Sequence, residues 1–441
     1  MEELLMSVFF LSTYLLIFFW GWRKSPASGI FVITGMRLLL AFLLLRCAFA
    51  YLLFDTEVEV KFAAMASLAV GMLALLVSQF CIKHLDVGWI SANRKDVAKI
   101  SDVKFVYAVA LLFLVGFVLF QGLPSGFYIW KIAGSGEMSD LRREVSKSYL
   151  FGGAEYRGQG ILRTIIEIFG ALLFSTLAVG IISKKTPKKS KILYIALILV
   201  VALLLISEGS RGMLMNAVVA SICALLFFEP KFKFGKSLVA VLVALTLFFS
   251  LSLVTSKSQA LRTGEISLTE FSFAIFERLF LSNAINDLYL YELESEGRFQ
   301  VEPFRWMIRD IKASIPGMDA GKPLAYELYF EKSGDLQGTT YLTGTHMMKA
   351  YLDGYYLSVF FQYFLIGFLI CFLDKYIARR VVQKARKSDI YIYGFCGAAS
   401  LFLGLSFITG LTGTMINLVV LLLCFWLVSG SRRFFEIIIR K

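Results

Sequence analysis

The sequence predicts an all-α polytopic membrane protein of about eleven transmembrane helices (range 10–12) with a large, partly helical outer loop late in the chain. Three observations carry that prediction. Hydrophobic residues make up 58% of the 441 and mean hydropathy is +0.72, far too apolar for a water-soluble chain. The apolar residues come in blocks of membrane-crossing length, and in lipid a helix satisfies its own backbone. All seven prolines lie between the blocks, where a missing N–H costs nothing.

In order, the spans read 4–22, 29–54, 62–82, 105–122, 161–183, 192–206, 213–229, 237–254, 355–373, 390–408 and 413–429. The first opens on Glu2 and Glu3 and lacks a basic region or small-residue cleavage site, so it reads as a retained span. The second carries Arg37 and Arg46, each roughly 13 Å from an end at the helical rise. Charges at that depth face a cavity or a partner. Nine residues turn a helix through half a circle, so the two arginines serve different ends. Arg46, on the outer half, suits a lipid phosphate; Arg37 reads as a structural charge or one that snorkels inward.

The fifth span begins with Arg163 and Glu167, an i,i+4 pair. Spans six and seven are parted by Ser207-Glu208-Gly209-Ser210-Arg211-Gly212, where two glycines allow a sharp reversal. Arg211 at that edge has the planar fork that matches phosphate, and it reads equally as an anchor among lipid headgroups. Residues 1–254 thus form an N-terminal bundle of about eight spans with an outer loop at 122–160. Residues 255–354 form the large outer loop, and 355–441 a C-terminal bundle of about three spans with a basic cytoplasmic tail.

Charge sets the orientation. One set of alternate loops holds 25 Lys and Arg and few acids, with Lys184-Lys185-Thr186-Pro187-Lys188-Lys189 its clearest member. The positive-inside rule then places the N-terminus outside and the C-terminus in the cytoplasm. The net charge of +13 is therefore a topology signal, and no nucleic-acid partner is expected. Both long polar loops, and the Arg211 turn with them, fall outside. All six cysteines lie in apolar runs, so no disulfide framework, metal site or cofactor is expected.

Within the large loop, Leu268, Phe271, Ile275 and Leu279 recur at helical spacing and predict an amphipathic helix near 268–281 in the interface plane. Arg278 lies in it; Arg305 and Arg309 stand four apart on one face of any helix there. Arg142 comes from the smaller loop. Arginines interleaved with aromatics suit an anionic head bearing sugars, although the many nearby acids also make them ordinary solvated ion pairs. Phosphate-cradling glycine loops, HExxH and GxSxG are absent, which removes support for nucleotide hydrolysis, zinc proteolysis and α/β-hydrolase chemistry. His346, the one histidine assigned outside, sits in Thr343-Gly344-Thr345-His346-Met347-Met348-Lys349-Ala350-Tyr351-Leu352-Asp353-Gly354. It could take a proton from a sugar hydroxyl, or simply hydrogen-bond the backbone at the interface. If the stretch is helical, Lys349 and Asp353 share its face.

The layout, the Ser210-Arg211-Gly212 turn, and His346 through Tyr351-Leu352-Asp353-Gly354 into Phe364-Leu365-Ile366-Gly367 together resemble the Wzy-type O-antigen (oligosaccharide repeat-unit) polymerases of the bacterial inner membrane. The resemblance implies a glycosyltransferase that moves a growing glycan from undecaprenyl pyrophosphate onto the next lipid-linked repeat unit. It implies no cofactor, and it allows a chain-length-regulating membrane protein as a partner. Leaving-group charge would fall to Arg211 with Arg278, Arg305 or Arg309, supported by Arg46 and Arg142; acceptor deprotonation would fall to His346 or Asp353. O-antigen ligases share the arginine-turn and outer-histidine layout, but Met347 follows His346 where their motif leads one to expect a polar residue. A lipid-linked oligosaccharide flippase, the third alternative, would show internal repeats and discontinuous spans.

Overall fold

The structure, a computed structural model, describes residues 2–25, 32–84, 159–207, 211–229, 282–313, 344–377 and 390–439, with scattered residues in 106–117, 267–270 and 315–324. Every regular element among them is helical. The order is α1 (Glu2–Lys24), then α2 (Gly35–Phe42), which passes through a π-helical turn (Leu43–Ala48) into α3 (Phe49–Leu53). Next come α4 (Val58–His84), α5 (Gln159–Ile182), α6 (Lys188–Ser207) and α7 (Arg211–Phe228). Then follow α8 (Ser282–Ser295), α9 (Arg305–Ala313), α10 (His346–Leu352), α11 (Tyr355–Ile377), α12 (Ile390–Gly404) and α13 (Ser406–Ile439).

Among the described residues six helical stretches are long and apolar enough to cross a membrane: Glu3–Lys24, Gly35–Leu53, Val58–Lys83, Thr164–Ile182, Tyr355–Ile377 and Ser406–Leu423. Gly212–Phe228 and Ile390–Gly404 are shorter apolar helices. Of the predicted span 105–122, residues 106, 109–111 and 113–117 are helical; span 237–254 lies outside the described residues. So do the outer loop 122–158 and, apart from 269–270, the amphipathic stretch 268–281.

Several boundaries differ from the sequence reading by four residues or more; α2 starts at Gly35 instead of 29, α4 at Val58 instead of 62, and α11 ends at Ile377 instead of 373. The tenth span stops at Gly404, and the reversal is centred on residues 405–410 instead of 409–413. Hydroxyls make the earlier break affordable: Ser406 donates to the Leu403 carbonyl at 2.5 Å, and Thr414 donates to Ser406 at 2.7 Å. Helix α6 starts at Lys188, directly after Pro187, because proline suits a helix entry and the basic turn can join the helix. The C-terminal tail continues α13 to Ile439, since no proline interrupts the backbone ladder.

The bundle has two distinguishable ends. Lys61 of α4 pairs with Glu3 of α1 at 2.6 Å, which sets the starts of these helices side by side. At the opposite end Asp374 of α11 accepts from Gly35 N (3.1 Å) and Met36 N (2.9 Å), capping α2. Lys375 donates to Ile82 O at 2.8 Å, closing the C-terminus of α4. Thus α4 and α11 run parallel, with α2 antiparallel to both. Helix α12 lies against α5 and α7 at Gly394 and Gly397, where a side chain would meet Thr176, Ala220 and Ala224. Small residues let backbones close up where lipid supplies no hydrophobic drive. Elements α8, α9 and α10 gather where α4 and α11 begin.

Candidate functional site

The sequence Ser282-Asn283-Ala284-Ile285-Asn286-Asp287 begins α8 with polar groups that end up buried against the bundle. A buried amide or carboxylate must find partners. Asn283 supplies one: its side-chain oxygen accepts from Arg46 Nη2 at 3.1 Å. Arg46 sits in the π-helical turn, a local widening often found at functional sites. Its guanidinium lies 5.2 Å from the centroid of the Phe407 ring, and its Nε has no partner among the described residues.

One turn along α8, Asp287 is fully buried. Its carboxylate accepts from the Tyr51 hydroxyl at 2.8 Å and from Thr345 N at 2.7 Å, and also from the Thr345 hydroxyl. Thr345 is the N-cap of α10, and its Oγ1 accepts from Met347 N at 3.2 Å. Asp287 therefore positions the residue immediately before His346. Gly344 is required here, since a Cβ would stand 2.6 Å from Asp287 Oδ1. Burial pushes the Asp287 carboxyl up to about 7, against the opposing pull of the Thr345 and Tyr51 bonds.

His346 begins α10 and is 5% exposed. Its ring lies 5.8 Å from that of Tyr363 at 36°. On another side it rests on the backbone of Gly410, where φ is 69° and any Cβ would run into the imidazole. Neither ring nitrogen makes a well-formed hydrogen bond among the described residues, although the Gln362 amide is close enough to interact. Burial, helped by Lys349 and opposed by Asp310, lowers its pKa to about 4, so the ring is neutral near pH 7.

These contacts close a ring. Arg46 holds Asn283, and α8 carries Asn283 to Asp287. Asp287 holds Thr345 beside His346; His346 lies on Gly410; and Phe407, one turn earlier, returns to Arg46. A cation, a neutral imidazole and unspent hydrogen-bonding atoms thus line one polar patch at this end of the bundle. The chemistry fits a phosphate or pyrophosphate group beside a hydroxyl.

Asp353 takes a different place. It ends α10 and accepts from Trp306 N (2.7 Å), Met307 N (3.1 Å) and Gln362 Nε2 (3.0 Å), so its carboxylate caps α9. Burial raises its pKa, and the Trp306, Gln362 and Met307 bonds oppose that. Arg305 and Arg309 are on one helix, as their spacing predicts, but outside the ring. Arg305 pairs with Glu302 at 2.7 Å and stacks on Trp306; Arg309 pairs with Asp310 at 2.7 Å, which also takes Lys349 at 3.1 Å. Arg211 opens α7, with its side chain outside the described residues; Arg142 and Arg278 lie wholly outside them. Among the described residues no group of three or more His, Cys, Asp or Glu could hold a metal.

Sequence reading missed Asn283, Tyr51, Gln362 and Tyr363, and took Asp287 only as one of the charges that punctuate the amphipathic stretch. Gln362 and Tyr51 carried a signal: each is a polar group inside an apolar run. No family model matches the chain, and neither a curated protein nor a solved structure matches it. Among the described residues what stands is an all-helical architecture with six helices long and apolar enough to cross a membrane, and a buried polar ring at one end.

Proposed function

We propose that this protein polymerises lipid-linked oligosaccharide repeat units at the outer face of the bacterial inner membrane, in O-antigen or related polysaccharide synthesis. The observation that carries the reading is the ring itself: Arg46 and His346, 300 residues apart, flank one turn at residues 407–410. In the reaction, the bond between the donor sugar's anomeric carbon and the pyrophosphate oxygen breaks. The electron pair leaves with undecaprenyl pyrophosphate, whose added charge Arg46 stabilises, with Arg211 as the second cation of the scheme. The acceptor hydroxyl oxygen bonds to the anomeric carbon and passes its proton to the neutral His346 imidazole. Asp287 acts through Thr345 as a positioning residue. Asp353, fully engaged as a cap, is left with a structural role in this scheme.

The broken helices favour one second reading. A π-helical turn at Leu43–Ala48 and the non-helical Gly410 are the kind of interruption that flippases use at a substrate site. A deletion strain separates the readings. Loss of long chains with a single capped repeat retained means polymerase, whereas loss of both means ligase or flippase. Returning His346→Ala at normal abundance should restore no long chains; near-normal polymer would remove His346 from the mechanism.

A further inference from the structure

Helix α9 carries an unusual outer surface. Phe304, Ile308, Ile311, Ile315 and Met318 recur at intervals of four, three, four and three, and each is 44–53% exposed. At 3.6 residues per turn Ile308 and Ile311 share one face of α9 (Arg305–Ala313); Phe304 stands directly before the helix, and Ile315 and Met318 follow it, tied back by Ile315 N to Lys312 O at 3.0 Å and Met318 N to Ile315 O at 3.2 Å. The opposite side is already occupied: Trp306 is buried, and Asp310 is tied to Lys349 of α10. Along one edge of the stripe stand Arg305 and Lys312, seven apart and on the same face.

A bare apolar stripe needs a covering, and two observations name it. First, the stripe starts beside a membrane-length helix. Glu302 N donates to Leu352 O at 3.1 Å and Phe304 N to Asp353 O at 3.2 Å, which seats Phe304 next to the entry of α11. There Tyr355, Leu357 and Phe361 are themselves exposed, on a helix apolar and long enough to lie in lipid. Second, the edge keeps a net positive sign, Lys312 adding to an Arg305 that pairs with Glu302, and that sign is the one anionic headgroups attract. The joint is held tightly: Phe304 (φ 60) and Tyr355 (φ 55) both keep a backbone conformation that non-glycine residues rarely adopt.

We infer that α9 is a membrane-surface helix, with its Phe304–Ile308–Ile311 stripe in the acyl–headgroup boundary and Arg305 and Lys312 at the phosphates of anionic lipids. The occupant of the stripe is the bilayer. This placement stands independently of the reaction proposed above. It bears on His346 all the same, because Asp353 joins the start of α9 to the end of α10.

The test uses full-length protein in phosphatidylglycerol–phosphatidylethanolamine nanodiscs. Single cysteines replace Ile308, Ile311 or Lys312 and are labelled with a fluorophore; a control without added cysteine measures labelling of the native thiols. Labels at Ile308 and Ile311 should be quenched several-fold more strongly by nitroxide-bearing lipid than by aqueous iodide. The label at Lys312 should show the reverse or equal quenching. Two results overturn the inference. Iodide quenching at Ile308 and Ile311 equal to that at Lys312 puts the stripe in water, and protection from both quenchers puts it under protein, whether this chain or a second copy.

Discussion

Two arginines nine residues apart on one membrane-length stretch have opposite surroundings. Arg37 is 2% exposed; it donates to Trp22 O at 3.0 Å and to Val32 O, and stands over the Trp22 ring. Beside it Asp374 spends its oxygens on the first turn of α2. At the other end Arg46 Nε, both His346 nitrogens and Gln362 Oε1 are buried without well-formed bonds among the described residues. Buried polar groups normally find partners, and leaving one unmet costs ~1–3 kcal/mol. The Arg37 end commits most of that capacity to holding helices together, with Gln79 Oε1 an exception, and the Arg46 end keeps more of it in reserve. The difference separates a charge committed to holding the fold from one with hydrogen-bonding capacity left over.

The sharpest way to break this contrast is to remove each arginine. Arg37→Ala strands the Trp22 and Val32 carbonyls and leaves a cavity, a loss of roughly 3–5 kcal/mol. It should therefore abolish monodisperse protein in fluorescence-detected size-exclusion chromatography. Arg46→Ala should keep normal abundance and lose most polymer. If both variants fold equally well, the two ends do not differ in kind.

A second, smaller effect sharpens it through pH. The Asp287 carboxyl, raised to about 7 by burial, contributes stability that is full below its ordinary value of 3.8 and is lost as pH rises through about 7. The His346 ring, lowered from 6.5 to about 4 by burial, contributes stability present above 6.5 and lost as pH falls through about 4. The two slopes oppose each other between about pH 4 and 6.5 and partly cancel. His346→Gln should therefore expose the Asp287 slope, with Tm falling from pH 5 to pH 7.5. Asp287→Asn should expose the opposite slope, with Tm falling from pH 6.5 to pH 4.5. Parallel Tm profiles in the two variants would show that neither group titrates as the ring geometry requires.

The smallest effect concerns Asp353. As a cap it should tolerate Asn far better than Ala, because a side-chain oxygen can still accept from Trp306 N. Asp353→Ala should lower Tm by the equivalent of ~1–2 kcal/mol, and Asp353→Asn by less. Complete loss of polymer in Asp353→Asn at unchanged Tm would return Asp353 to the chemistry.

Much of this was legible in the chain. Apolar block length, proline placement and the spacing of Arg305 and Arg309 all act locally, so they are visible in sequence. That Arg37 and Arg46 meet different surroundings is expected from helical phase; in the structure it is their positions at opposite ends of the bundle that part them, with Arg46 in a π-helical turn. The role of Asp353 did not, because it depends on α9 returning to meet α10 across about fifty residues. Asp287 was hidden for the same reason: its partners Tyr51 and Thr345 come from opposite ends of the chain. The position of the α12–α13 break was obscured by two serine and threonine hydroxyls, which let a helix end where no glycine pair announces it.

The seat of His346 on Gly410 has an evolutionary corollary. Any side chain at 410 must displace the imidazole, and φ 69° already disfavours all but glycine. Neither position can drift alone. The same holds for Arg46 with Asn283 and for Tyr51 with Asp287, where each member is the other's partner across the bundle. Among descendants of this sequence, three pairs of columns far apart in the alignment should change jointly or stand still; a lineage that lost His346 would gain space at position 410, while the positive φ would still favour glycine there.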